Sequence, residues 1–364
     1  MTKPHNQTAW RPHDLLRDQS WVFSLSENAR KQLAYSIKKV FDPDRPLFDY
    51  SREDFDLGPG LATVVAAAEQ AYFGYGLTLV RGLPRKEMTE QEYRLMIWAL
   101  GLNLGVPRPQ GRASQYISEV RATGMNYRSA GGRGYNSNAG LDFHCDGCDL
   151  VALACYNKAK RGGQSLISSS VSAWQALLVE YPELAETARH DFYFSRNQEE
   201  APDEAPYYAQ PLFDFEDGRL FSKWNRNRVR TAQDILGVPK LSVMQKQCGD
   251  VLDLILRRPD LMYTMWLQPG DLQFINNHVI LHSRTTFDDY DELNRKRLLF
   301  RLWIAPPYSV QLPNSWEKFF NSTDPGTVRG GIRGHNHDFV CKDFELRQAE
   351  SMGMPAPVHN RFSA

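Results

Sequence analysis

Apolar positions in this chain follow a helical period in its first third and a strand period through most of the rest. Leu33, Ile37 and Val40 recur at helical spacing behind Ser26, a residue suited to capping a helix, and the DPDRP segment from Asp42 to Pro46 ends the run. Leu61, Val64, Val65, Ala68 and Tyr72 predict a second amphipathic helix closed by Gly74 and Gly76, with a strand over 77–80 directly after it. Thr89 and Glu92 form a capping box before a third helix whose face is Tyr93, Met96, Ile97 and Leu100. Over 106–140 the periodicity disappears into a stretch rich in Gly, Arg, Ser and Asn, a composition expected of a lid or substrate loop.

Short strands follow at 150–156, 165–169 and 191–195. A hairpin over 212–215 and 220–224 turns at Asp217-Gly218. Further strands are expected at 263–267, 272–276 and 298–304, with helices over 173–189 and 242–256 between them. Trp174, Trp224, Trp266 and Trp303 are assigned to packing. Many short strands with inserted helices predict an α+β chain whose core is mainly β, a jelly roll rather than a parallel sheet. The expected organisation is a wrapping arm and helix over 1–60, a core domain over 61–310 with its lid segment at 106–140, and an extension over 311–364 packed on the same domain.

Composition narrows the function classes. Lys plus Arg total 43 and Asp plus Glu total 43, so the balance supplies no positive field for nucleic acid or an anionic membrane. Five irregularly placed cysteines, Cys145, Cys148, Cys155, Cys248 and Cys341, form no disulfide framework and indicate a reducing compartment. With no apolar leader at the N-terminus and no long apolar run, the expectation is a cytoplasmic protein acting on a small molecule, with a homo-oligomer left open.

The residues able to do chemistry concentrate in two places. In LDFHCDGCD, His144 and Asp146 stand two apart, so on a strand they project from one face about 6–7 Å apart and can share a metal. The plainer reading is a surface histidine beside a turn aspartate. A third ligand could come from His278 or His282 in PGDLQFINNHVILHSR, and strand parity does not choose between them. In RKRLLFRLWI, Arg297 and Arg301 share a face with Leu299, opposite Leu298, Phe300 and Leu302. If that face lines a barrel, two buried guanidinium groups need an anionic ligand, since an uncompensated buried charge is strongly destabilising. Otherwise both point to solvent or pair locally. Two histidines and a carboxylate are the facial set of non-haem Fe(II) oxygenases.

FHCD, GGQS, PGD, INNHVILHSR and RKRLLFR, in that order from about Leu77 to Ile304, resemble the taurine dioxygenase family of Fe(II)- and 2-oxoglutarate-dependent oxygenases, which includes the clavaminate synthase-like enzymes. The spacing of the arginines after His282 is that of other branches rather than of taurine dioxygenase itself. The resemblance implies a cupin-like double-stranded β-helix and iron ligands His144, Asp146 and His282. It also implies that Arg297 grips the far carboxylate of 2-oxoglutarate with Ser165 assisting, and that Arg301 lies near the C1 carboxylate or the substrate. O2 is the oxidant, and succinate and CO2 leave as the substrate is hydroxylated, with desaturation and cyclisation open to the same oxidant. The carboxylate Asp146 argues against the related halogenases. The expected substrate is a small polar, amino-acid-like or specialised metabolite held under the lid by residues of 112–138.

Two rival readings come from other classes. Cys145-x-x-Cys148 with His144 resembles half a zinc site or a redox dithiol, but no second pair completes it. A jelly roll that binds without turnover is the other. The HNH at His335 to His337 is read as a solvated loop, and Gly131, Gly132 and Gly134 as flexibility, since no Lys or helix of a phosphate loop accompanies them.

Overall fold

Strand alternation is resolved by two sheets packed face to face. The computed structural model describes residues 7–124 and 134–357. Its larger sheet has seven strands: Val22–Ser24, Leu77–Arg81, Leu272–Asn276, Leu150–Asn157, Leu298–Ala305 and Val106–Arg108 in spatial order, with Ile117–Val120 also paired to Leu298–Ala305. A three-stranded sheet of Met262–Met265, Ser165–Ser169 and Ile280–Arg284 lies opposite. Along Leu298–Ala305 the period of two is clean: Leu298, Phe300, Leu302 and Ile304 pack under the helices, whereas Leu299 and Trp303 join Ile167, Met265, Ile275 and Ile280 between the sheets. Both faces are buried, which explains the near-continuous apolar run in these strands.

Three helices cover the outer face of the large sheet. Ser26 accepts a hydrogen bond from the Ala29 backbone to start Glu27–Val40, Pro59–Phe73 ends at Gly74, and Thr89 with Glu92 caps Glu90–Leu102. At the predicted hairpin both Asp217 (φ 48°) and Gly218 (φ 70°) take the left-handed conformation, as a two-residue turn requires. No helix among the described residues is long and apolar enough to cross a membrane.

Several expectations are corrected. The helix expected over 173–189 is two, Ser170–Glu180 and Pro182–Ala188, because Pro182 cannot continue the first and instead opens the second. Parts of 106–140 are not loop: Val106–Arg108 and Ile117–Val120 are strands on Leu298–Ala305, and Gly134 and Tyr135, in a 3-10 turn, border the cavity described below. The lid residues 125–133, with Gly131 and Gly132, lie outside the described residues. Trp266 is exposed rather than packed. The N-terminal arm is docked, with Trp10 buried and its indole N–H donating to the Tyr75 carbonyl at 2.7 Å. His337 is not solvated: it lies 3.3 Å from the buried carboxylate of Glu345, which also pairs with Arg108 at 2.8 Å and ties the Phe339–Ser351 helix to the sheet.

Candidate active site

His144 and Asp146 sit on one wall of the barrel, though not on a regular strand; the strand begins only at Leu150. His144 instead makes an isolated bridge with His282, each backbone N–H donating to the other's carbonyl at 2.9 Å. This pairing welds the two histidine-bearing segments together and sets their rings 4.4 Å apart. Nδ1 of His144 donates to the Asp142 carbonyl at 2.9 Å, which turns Nε2 toward the cavity. Asp146 is positioned through its own N–H, which donates to Oδ1 of Asn277 at 2.9 Å. His282 points inward by the same parity as Ile280. Ligand atoms of His144, Asp146 and His282 all lie within 4.8 Å of one another, the single such cluster of histidine, cysteine and carboxylate groups among the described residues.

The electrostatics leave these three in the protonation states a divalent cation needs. Burial pushes the Asp146 carboxyl up, but Arg301, His282 and His144 outweigh it and hold the group at about 2. Burial lowers both imidazoles. His282 falls to about 3, with His144 beside it adding to the effect of burial. Two neutral imidazoles and one carboxylate are a borderline-soft donor set suited to Fe(II), and the three occupy one side only.

Arg297 and Arg301 share a face with Leu299, as parity predicted, and with Trp303 they border the interior cavity. Nη1 of Arg301 reaches Oδ1 of Asp146 at 3.2 Å, and its Nε donates to Gln110 Oε1 at 2.9 Å. Arg297 is different. It is buried, lies over the Phe287 ring at 5.1 Å, and has no carboxylate within ion-pair distance among the described residues. Its Nη1 has no hydrogen-bond partner there, and burial draws its pKa down to about 10. Such a group calls for an anion. Gly163 passes beside it, where a Cβ would come 3.3 Å from Arg297 Nε. Ser165 opens on the same cavity and donates to Gln273 Oε1 at 3.3 Å.

Sequence reasoning missed several residues. Asn277 and Gln110 hold Asp146 and Arg301. Arg284 donates to the carbonyls of Ser137 and Ala139 at 2.8 and 2.7 Å, fastening the 134–139 segment over the cavity. Phe319 and Ile332, from the C-terminal extension, line it. His278, the rival third ligand, belongs elsewhere. Its Nε2 lies 2.9 Å from Asp149, whose carboxylate also takes Arg329 at 2.7 Å, and all three are buried. This pair ties the start of Leu150–Asn157 to the C-terminal extension. Arg329→Met is expected to lower stability by about 3–5 kcal/mol, because Asp149 is left as a buried charge with only His278 beside it. Urea unfolding measures this, and a loss under 1 kcal/mol would contradict it. Cys145 and Cys148 are buried and free, and burial pushes the Cys148 thiol far up, the reverse of a reactive or metal-binding dithiol.

A double-stranded β-helix with this facial donor set beside a buried, unpaired arginine defines the class of non-haem Fe(II)- and 2-oxoglutarate-dependent dioxygenases. Comparison with known proteins is more specific: residues 43–303 match the taurine catabolism dioxygenase TauD, TfdA family, and the chain belongs to that family. FR-33289 synthase of Streptomyces rubellomurinus is 28% identical over 315 residues, covering 85% of this chain and 92% of that protein. The taurine hydroxylase-like protein SAT17 of Stachybotrys chartarum is 24% identical, covering 84% and 82%. Among solved structures, asparagine oxygenase in complex with Fe(II), 3-hydroxyasparagine and succinate superposes with a TM-score of 0.60 at 16% identity, covering 78% of this chain and 93% of that one. The non-haem iron oxygenase OrfP with Fe, succinate and (3S)-hydroxy-L-Arg gives 0.57 at 14%, covering 78% and 94%. These structures establish the shared fold.

Proposed function

We propose that this dioxygenase hydroxylates a small polar, amino-acid-like metabolite. His144, Asp146 and His282 hold the iron, and Arg297 with Ser165 holds the far carboxylate of 2-oxoglutarate. The observation that carries the assignment is the juxtaposition of the triad with a buried guanidinium that has an open donor. When bound, iron with 2-oxoglutarate and O2 supplies the oxidant, and succinate and CO2 leave. The chain's own part is positional. Asp142 and Asn277 orient the donor set, Arg301 neutralises Asp146 and would lie near the C1 carboxylate or the substrate, and Leu153, Leu267 and Leu299 add apolar lining to the cavity. Arg284 and the 134–139 segment exclude water on the substrate side. Oxygenases with this fold whose structures contain hydroxylated asparagine or arginine support an amino-acid-like substrate. Screening amino acids and other small polar metabolites for stimulated succinate formation tests the proposal. A true substrate raises succinate output well above the uncoupled background; no stimulation by any zwitterionic or anionic metabolite would contradict the substrate class.

A further inference from the structure

Charges on the substrate side of the cavity do not balance. Apart from Arg297 and Arg301, the lining cations are Arg196, Lys223, Arg228 and Arg284, and apart from Asp146 the lining carboxylates are Glu199 and Glu204; Arg284 is held by the Ser137 and Ala139 carbonyls. Arg228 donates to Glu199 at 2.7 Å. Arg196 lies 3.6 Å from Glu204, which Arg333 also reaches at 3.3 Å. Lys223 is left over. It is only 5% exposed, no carboxylate among the described residues lies within ion-pair distance of it, and its ammonium rests 4.4 Å from the centre of the Phe319 ring.

The backbone explains why this lysine faces the cavity. After the Arg219–Ser222 strand, the chain runs beside the metal-binding wall, where Cys145 N–H donates to the Trp224 carbonyl at 3.1 Å and His144 bridges to Asn225. Successive side chains of an extended segment alternate. Trp224 therefore enters the core, while Lys223 and Asn225 border the cavity on either side of it. An aliphatic residue at this position would avoid the cost of burying an ammonium; the Asp146 carboxylate favours its charge, but lies outside ion-pair distance of it and already pairs with Arg301, so the charge itself requires an explanation. Iron, 2-oxoglutarate and the paired groups do not supply one, because the negative charges of the dianion and Asp146 are already exceeded by the positive charges of the metal, Arg297 and Arg301.

We propose that Lys223 is a specificity-determining residue that binds an anionic head group of the substrate above the Phe319 ring. This inference rests on the dioxygenase reading. The head group is held on the wall next to the iron ligands, so the bond to be hydroxylated lies a short chain away from it.

Three-carbon probes test this directly. Propionate, propylphosphonate, propanol and propylammonium are titrated calorimetrically into anaerobic protein saturated with Fe(II) and 2-oxoglutarate, so that Arg297 is already engaged. The two anions should bind and the alcohol and ammonium should not. Lys223→Met should weaken anion binding at least tenfold, and Lys223→Arg should retain most of it. The tighter anion identifies the head group. Equal binding of propanol and propylphosphonate, or a Lys223→Met protein that binds the anions like wild type, overturns the proposal. The charge-transfer absorption of bound iron and 2-oxoglutarate is read in the same samples. Its presence in both proteins separates a failure at Lys223 from a failure of the dioxygenase reading, which would leave both colourless.

Discussion

Replacing Asp146 by Asn is expected to cut 2-oxoglutarate-coupled turnover by roughly a thousandfold or more, because a metal centre supplies several kcal/mol of barrier reduction. The substitution removes one negative charge from a set in which both other donors are neutral, so metal affinity falls with it. Asn is the informative replacement. An amide oxygen can still accept from Arg301, which now reaches Asp146 Oδ1 at 3.2 Å, so the fold should be largely retained. Asp146→Ala is expected to lose turnover equally and to cost about 3–5 kcal/mol of stability besides, since it strands a buried guanidinium. Succinate release, bound iron and urea unfolding together distinguish the two effects. If Asp146→Asn keeps its iron and more than a tenth of its turnover, the carboxylate is not a ligand.

Arg297→Met should raise the KM for 2-oxoglutarate about a hundredfold. Charge-assisted hydrogen bonds contribute about 1.5–3 kcal/mol each, and losing a bidentate grip is of order 3 kcal/mol. Stability should move the other way. Arg297 has no counter-ion within the described residues, and burial already draws its pKa down to about 10. A thioether of similar length therefore leaves the ligand-free protein as stable as wild type or more so. Arg329→Met, which breaks an existing buried pair, should do the opposite. A KM within threefold of wild type for Arg297→Met would place the far carboxylate elsewhere.

The contrast between these arginines shows how far the sequence could be read. Parity along the strand put Arg297 and Arg301 on one face with Leu299 but left open whether that face is the interior; the packing of Leu298, Phe300 and Leu302 under the helices decides it. Caps at Ser26 and Thr89 and the Asp217-Gly218 turn were legible for the same reason, being local rules. The His144-x-Asp146 spacing pointed to the site although its geometry is not that of a strand: a single bridge to His282, far away in sequence, does the positioning. Parity could not separate His278 from His282. What separates them is tertiary, since Asp149 and Arg329 claim His278. Lys223 was invisible for a similar reason, as nothing local shows that the residues after a hairpin run beside His144. The strands within 106–140 were hidden by a composition typical of loops, their pairing being fixed by Leu298–Ala305 rather than by their own propensity.

The account depends most directly on one spectrum. Anaerobic protein mixed with Fe(II) should develop a weak visible charge-transfer band when 2-oxoglutarate is added, and His144→Ala should fail to develop it. A wild-type protein that stays colourless under those conditions and instead retains zinc would contradict the account.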